Sequence, residues 1–209
     1  MRLESVLMHD AIGEKDLAVV PRQNLFSGEY WSGVREMGEE ELFQLLSRQM
    51  VFKERTEELE KDESLKQVIP YFLVRRDDQY LTARRKNTQG EKRLHGGRLI
   101  GFGGHLRAGD IKGRMKDWLE REFDEEIEAE KVLGISFFGV VNHDGPEDNG
   151  VHKVHFGLIF EIQVEDEAKI REEDKFQEEE FLPIESLIWK REEMELWSRL
   201  VLDFIAQGK

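Results

Sequence analysis

The order of apolar and polar residues divides the chain into short strands and a few amphipathic helices. The segment VIPYFLVRR (68–76) is apolar on both alternations, which predicts a strand covered on both faces. The turn DDQ and the segment YLTARR that follow it predict a hairpin. Further strands are predicted at 16–21, 98–104, 133–141 and 151–164.

The segment 151–164 shows the clearest alternation. Its even positions from 154 onwards are apolar, whereas its odd positions include Lys153, His155 and Glu161. This pattern predicts one core face and one polar face. His152 and His155 would then point to opposite faces, which argues against a shared metal site.

Three segments have helical spacing. Residues 39–64 predict a helix whose second half is nearly all charged, and residues 111–127 carry apolar side chains at helical intervals. A final helix places Trp197, Val201 and Ile205 on one face. The composition changes abruptly near residue 65, so we expect an N-terminal extension of one strand and one helix over 1–65 and the main domain over 66–209.

Composition and charge narrow the function classes. The 209 residues include no cysteine and carry a formal net charge of −14, so thiolate metal sites are excluded and a stable nucleic-acid complex is not expected. No apolar run approaches the roughly 20 residues that cross a bilayer, and the N-terminus lacks the apolar stretch of a secretory signal. A cytoplasmic location is the expectation.

The charge is unevenly distributed along the chain. Residues 75–116 contain twelve Lys or Arg and four Asp or Glu. A basic stretch that leads into an acidic cluster could hold an anion beside metal ions, although a solvated basic face is an equally good interpretation of the charge alone.

The acidic cluster lies on the predicted helix 111–127. Glu122, Glu125 and Glu126 are spaced i, i+3 and i+4 and therefore share one face. Like charges at this spacing destabilise a helix by roughly 0.2–0.5 kcal/mol per pair. Carboxylates are ligands for hard divalent cations, and the glycines at 103 and 104 let backbone approach closely. Without these glycines and Arg121, a solvated acidic helix face would be the better interpretation.

The sequence from Gly104 to Glu126 resembles the signature of the Nudix hydrolases, G-x5-E-x7-R-E-φ-x-E-E-x-G-φ, in which φ is aliphatic or aromatic. REFDEE (121–126) matches R-E-φ-x-E-E residue for residue, and Gly104 stands at the first glycine. Asp110 replaces the glutamate of the pattern. Ten residues rather than seven separate Asp110 from Arg121, an insertion expected around Lys112 and Gly113. Glu128 stands where a glycine usually ends the helix.

The resemblance implies an α+β fold, a Nudix-type α/β/α sandwich around a mixed β-sheet. It also implies a hydrolase that cleaves a diphosphate linkage in a nucleoside diphosphate-type or related small molecule by water attack at phosphorus. Mg²⁺ or Mn²⁺ would be bound by Glu122, Glu125, Glu126 and the carbonyl of Gly103, and would lower the pKa of bound water. Arg121 would orient the glutamates, and Gly104 and Asp110 would shape the loop.

Further assignments depend on position alone. Glu180, before Phe181, is the candidate for an additional acid that completes the metal site in this family. Arg84, Arg85 and Arg98 are candidates for binding phosphates. Glu180 could equally be part of a charged loop, and for any single arginine a solvent-exposed role is the better interpretation.

Two alternatives remain at this point. The chain could be a Nudix-fold module that senses a nucleotide or binds a protein without turnover, but such modules often lack the complete glutamate set found here. It could also be an unrelated α+β protein with a purely structural acidic helix. A homodimer through the N-terminal segment stays open.

Overall fold

The computed structural model describes residues 12–86, 96–112, 115–146 and 150–208. Its strands are β1 (Leu17–Pro21), β2 (Gly33–Glu36), β3 (Val51–Lys53), β4 (Leu65–Arg76), β5 (Gln79–Arg85), β6 (Arg98–Leu99), β7 (Ile127–Ala129), β8 (Val132–Asn142), β9 (His155–Val164), β10 (Ala168–Ile170) and β11 (Phe176–Pro183). Its α-helices are α1 (Glu39–Gln49), α2 (Met115–Glu126), α3 (Ile184–Trp189) and α4 (Leu196–Ala206).

Nine of these strands form one mixed sheet. Its central order is β11-β5-β4-β9-β8-β2. In addition, β1 pairs with the first part of β4 and with β3, and β6 pairs with β5. The pair β4 and β9 is parallel, and the other pairs are antiparallel. β7 and β10 form a separate two-stranded sheet.

Apolar side chains on both faces of β4 explain why helices cover the sheet on two sides. Val68 and Phe72 belong to a core that includes Leu119 and Phe123 of α2. Ile69, Tyr71 and Leu73 of β4 belong to a second core with Trp197 and the other buried apolar residues of α4. The predicted α/β/α sandwich around a mixed sheet is therefore confirmed.

The helix predicted over 39–64 is wrong in its second half. α1 ends at Gln49, Val51–Lys53 forms β3, and Ala18 of β1 pairs with Phe52. The charged segment that follows packs against β1 and the start of β4, since Leu59 is buried in a small cluster with Leu17, Val19 and Leu65. The helical spacing of apolar residues thus holds only as far as Met50, and pairing with β1 determines the structure of the next residues.

Two other local predictions also need correction. The odd-numbered face of β9 is not simply polar, because Ile159 is fully buried against the α4 side. The helix predicted over 111–127 ends at Glu126, whose carbonyl accepts a hydrogen bond from the amide of Arg171 at 2.9 Å. Ile127 already pairs with Ile170 between β7 and β10, so Glu128 lies in a strand rather than at a helix-ending glycine position.

The first 65 residues contribute strands to the main sheet. Val19 of β1 pairs with Gln67 of β4, and Val34 of β2 pairs with Val141 of β8. The division of the chain near residue 65 stays a prediction based on composition. Within the described ranges, no helix combines the length and the apolar character that crossing a membrane requires.

Candidate active site

The glycine segment (residues 101–104, after β6) places main-chain atoms beside α2. Phe102 and Phe72 exchange two backbone hydrogen bonds, of 2.7 and 3.0 Å, which fix this segment against β4. A Cβ atom on Gly103 would lie 1.9 Å from the carbonyl oxygen of Pro70. A Cβ atom on Gly104 would lie 2.7 Å from Oε2 of Glu122 and 3.5 Å from Oε1 of Glu126. Glycine is therefore required at 103, where the contact is with main chain, whereas a Cβ atom at 104 would displace the carboxylate of Glu122.

The carboxylates of α2 differ in burial. Glu122 is 1% exposed, whereas the side chain of Glu125 is 49% exposed. Burial, together with the charges of Glu172 and Glu122, raises the pKa of Glu126 to about 8. Burial also raises the pKa of Glu122, although Arg121 opposes the shift. The protein's own cations therefore do not fully compensate this face of α2.

Arg121 connects the helix to the loop before it. Its Nη2 atom donates to Oδ2 of Asp110 at 2.5 Å and also to Glu122, and its Nη1 atom lies 2.8 Å from Oε1 of Glu125. Oδ2 of Asp110 also accepts from the backbone amide of Arg107 at 2.8 Å. Arg121 therefore contacts both a glutamate one turn further along α2 and an acid in the preceding loop. Asp110 lies in a 3₁₀ turn over Ala108–Lys112, and Gly113, the other expected insertion residue, lies outside the described residues.

A cavity of about 480 Å³ opens beside these groups. Of the residues that the sequence suggested, it is lined by Gly103, Gly104, Glu122, Glu125, Glu126 and Arg85. The fold therefore brings together the glycine segment, all three helix glutamates and one of the three arginines suggested for phosphate binding.

The other suggested residues lie away from the cavity lining. Arg98 is buried and pairs with Glu178 at 2.7 Å and with Glu180 at 3.2 Å. Arg84 pairs with Glu178 at 3.0 Å and with Glu193. These side chains form a network between β5, β6, β11 and the turn before α4. Arg84, Arg98 and Glu180 are therefore occupied by one another's charges rather than turned towards the helix glutamates.

Several cavity residues were not suggested by the sequence. Glu172 and Lys175, which form an ion pair, follow β10, and the buried Glu195 holds Arg85 with hydrogen bonds of 2.8 and 3.4 Å. Each lies more than 40 residues from α2, in a segment rich in other charged residues. No local pattern distinguishes Glu172 from the glutamates around it. The pairing of β10 with β7, which directly follows α2, brings it to Glu126.

Two histidines meet at another wall of the cavity. Nδ1 of His155 lies 2.6 Å from the carbonyl oxygen of Val151, and its Nε2 lies 3.3 Å from Nε2 of His105. His152 belongs to a 3₁₀ turn rather than to β9, so the prediction that it faces away from His155 is wrong. His105, His152 and His155 all line the cavity.

Lowering the pH should destabilise the protein through His155. Burial lowers the pKa of His155 to about 4, whereas the unfolded side chain titrates near 6.5. Between these values the unfolded chain binds more protons than the folded protein, so the free energy of unfolding falls as the pH falls. Between pH 6.5 and 4 we expect the free energy of unfolding of the unaltered protein to fall, with a change on the order of 2 kcal/mol. The His155→Phe variant should not show this fall. Denaturant titration in EDTA measures it, and parallel pH profiles for the two proteins would contradict it.

The described part of the chain holds no group of three or more histidine or acidic side chains already arranged around a metal position. The contacts of Glu125 explain this, because its carboxylate is turned to Arg121 at 2.8 Å and to Arg107 at 3.8 Å. The carboxylates of Glu122 and Glu126, in contrast, both lie beside Gly104. This pair and the adjacent main chain fit a divalent cation, and Glu125 would join it by leaving the arginines.

Comparison with known proteins identifies the class to which this fold and site belong. Protein YmaB of Bacillus subtilis (strain 168) is 31% identical over 157 residues, which are 70% of this chain and 74% of YmaB. The crystal structure of Tm1382, described as a candidate Nudix hydrolase, has a TM-score of 0.76 and 28% identity. The match covers 92% of this chain and 99% of the Tm1382 chain. No family model matches the chain.

The chain belongs to the Nudix hydrolase family. It is a hydrolase of the class that acts on small molecules containing a linked nucleoside diphosphate, and members of this family generally use divalent metal ions.

Proposed function

We propose that this protein is a hydrolase dependent on Mg²⁺ or Mn²⁺ that cleaves a diphosphate linkage by attack of water at phosphorus. The observation that carries the proposal is that the carboxylates of Glu122, which is 1% exposed, and of Glu126 both lie beside Gly104. Their raised pKa values indicate two acidic groups without full compensation from protein cations. A divalent cation would supply the missing charge.

Glu122, Glu126, Glu125 and the main-chain carbonyl of Gly103 are the proposed ligands. A divalent ion at this position would neutralise charge on the diphosphate and lower the pKa of water in its coordination shell. Arg121 holds Glu122 against Asp110 and thereby keeps the carboxylate beside the glycine segment. Asp110 in turn fixes the loop through the amide of Arg107.

Arg85 and Lys175 are the proposed phosphate-binding cations. Both line the cavity, and both act electrostatically on Glu126. Arg85 is held by the buried Glu195 and lies over the ring of Phe176, with its guanidinium carbon 5.0 Å from the centroid. This fixed position lowers the entropy lost when a phosphate is bound.

Glu172 is our candidate for the additional acid in place of Glu180. It lines the cavity, its charge raises the pKa of Glu126, and Lys175 donates to its Oε1 atom. A carboxylate in this position can accept the proton that the attacking water loses. Glu180 instead accepts from Arg98, as described above.

Replacing these two glutamates separates the assignments. We expect Glu172→Gln to lower kcat by about 100-fold or more, in the range of a lost general base. Glu180→Gln, the matched control, should keep kcat within about threefold, because its partner Arg98 also pairs with Glu178. Steady-state kinetics at saturating Mg²⁺ measures both variants. The opposite order of effects would restore Glu180 as the additional acid.

A substrate screen tests the function itself. Nucleoside diphosphate-linked compounds should release a nucleoside monophosphate or phosphate when Mg²⁺ or Mn²⁺ is present, and none when EDTA replaces the metal. Binding of metal and nucleotide without any product would instead support the sensing or protein-binding alternative. The homodimer, the cytoplasmic location and the lack of a stable nucleic-acid complex stay predictions.

A further inference from the structure

The His105–His155 contact determines where the protons of both rings lie. A carbonyl oxygen only accepts hydrogen bonds, so the 2.6 Å contact with Val151 requires His155 to carry its proton on Nδ1. In a neutral ring, Nε2 of His155 is then an acceptor. The 3.3 Å contact between the two Nε2 atoms therefore requires His105 to donate from Nε2. Nδ1 of His105 is left without a proton.

The surroundings favour this neutral arrangement over one with an additional proton. A second proton between the two Nε2 atoms would place two N–H groups head to head. The guanidinium groups of Arg55 and Arg107 line the same cavity as the histidine pair, and positive charges in one cavity disfavour an additional proton on His105. The two rings therefore form a short chain of hydrogen bonds, in which His105 donates to His155 and His155 donates to the carbonyl oxygen of Val151.

His105 is placed to use its free acceptor on a bound molecule. It directly follows Gly104, whose main chain lies beside Glu122 and Glu126, and it lines the cavity. Among the residues that the structure describes, no donor contacts Nδ1 of His105. An acceptor that faces the cavity without a donor favours ligands that can donate a hydrogen bond to it.

We propose that Nδ1 of His105 accepts a hydrogen bond from an N–H or O–H group of the substrate, and that His155 is a positioning residue that enforces this role. His105 would then be a specificity residue for the part of the substrate next to the diphosphate. The inference rests on the proposed function for its substrate class, but the proton positions do not depend on turnover.

Imidazole ¹⁵N spectra of the labelled protein at pH 7 test the proton positions. We expect His155 to be protonated on Nδ1 and His105 on Nε2. In the His155→Phe variant, which removes the acceptor, the His105 signals should shift towards a mixture of tautomers. A His105 ring that carries its proton on Nδ1 in the unaltered protein would overturn the proposal.

Kinetics with two pairs of nucleotides test the specificity role. ATP and 2′-deoxyATP differ by one hydroxyl group, and GTP and ITP differ by one exocyclic amine. We expect kcat/KM to favour the member with the additional donor in one pair, by about tenfold for one lost hydrogen bond. The pair that shows the preference identifies a sugar hydroxyl or a base amine as the donor.

Two substitutions of His105 complete the test. His105→Phe should abolish the preference, whereas His105→Asn, whose side-chain oxygen can replace Nδ1 as an acceptor, should retain most of it. Lack of any preference in the unaltered protein, or a preference that survives in His105→Phe, would overturn the proposal. If none of the four nucleotides is hydrolysed, the proposed function is contradicted for these substrates. The imidazole spectra alone then decide the His105 assignment.

Discussion

The Glu126→Gln variant is expected to lose turnover and, in metal-free buffer, to be more stable than the unaltered protein. Turnover should fall at least about 100-fold, since even the partners of metal ligands contribute 10–100-fold. The gain in stability has a separate cause. Because burial raises the pKa of Glu126 to about 8, its ionisation near neutral pH opposes folding. A neutral amide removes this penalty, on the order of 2 kcal/mol at pH 7 and above.

The pH dependence of Glu126 has the opposite sign to that of His155. Between pH 4.5 and 8 the folded protein retains a proton that the unfolded chain has lost, so in EDTA the free energy of unfolding should fall as the pH rises. The Glu126→Gln variant should lack this fall. Chemical denaturation at a series of pH values measures the difference between the two proteins.

Metal addition provides the control for this prediction. Mg²⁺ should stabilise the unaltered protein, by about 2.7 kcal/mol at 100 times its dissociation constant, and should have little effect on Glu126→Gln. The exposed Glu130, four residues further on, supplies the matched substitution, and Glu130→Gln should behave as the unaltered protein in every assay. Unchanged turnover in Glu126→Gln would contradict the assignment of the metal site.

The Arg121→Ala variant is expected to have the largest loss of stability among single substitutions at the site. Arg121 contacts two carboxylates that are nearly inaccessible, with side-chain exposures of 6% for Asp110 and 1% for Glu122. Removal of the cation leaves both without a compensating charge. We expect a loss of about 3 kcal/mol in the free energy of unfolding, measured by urea denaturation in EDTA at pH 7.

An exposed ion pair provides the comparison for Arg121. Arg191 binds Asp203 through two hydrogen bonds of 2.6 Å, but its side chain is 35% exposed and that of Asp203 is 38% exposed. Arg191→Ala should therefore cost less than about 1 kcal/mol. Arg121→Lys should fall between the two, because it keeps the charge but loses the fork of donors. Equal losses in Arg121→Ala and Arg191→Ala would show that burial of Asp110 and Glu122 does not decide the effect.

The features that sequence reasoning predicted correctly share a local origin. The apolar alternations of β4 identify a strand covered on both faces, and the spacing of Glu122, Glu125 and Glu126 places them on one helix face. Such periodicities are set by the geometry of the backbone within one element. The error over 39–64 has a related origin, because the helical spacing of Leu42, Leu46 and Met50 says nothing about the residues after them, where Phe52 pairs with Ala18 of β1.

The amino-acid sequence by itself determined an acidic helix behind a glycine segment, the resemblance to the Nudix hydrolases and most strands of the sheet. Only the tertiary structure decided which distant charges surround that helix. It brought Glu172, Lys175 and Arg85 into the cavity, set His105 against His155, and left Arg84, Arg98 and Glu180 in a separate network. The physical reason is that sheet order and loop closure join segments far apart in the chain, and no short-range spacing encodes which of many similar charged residues they bring together.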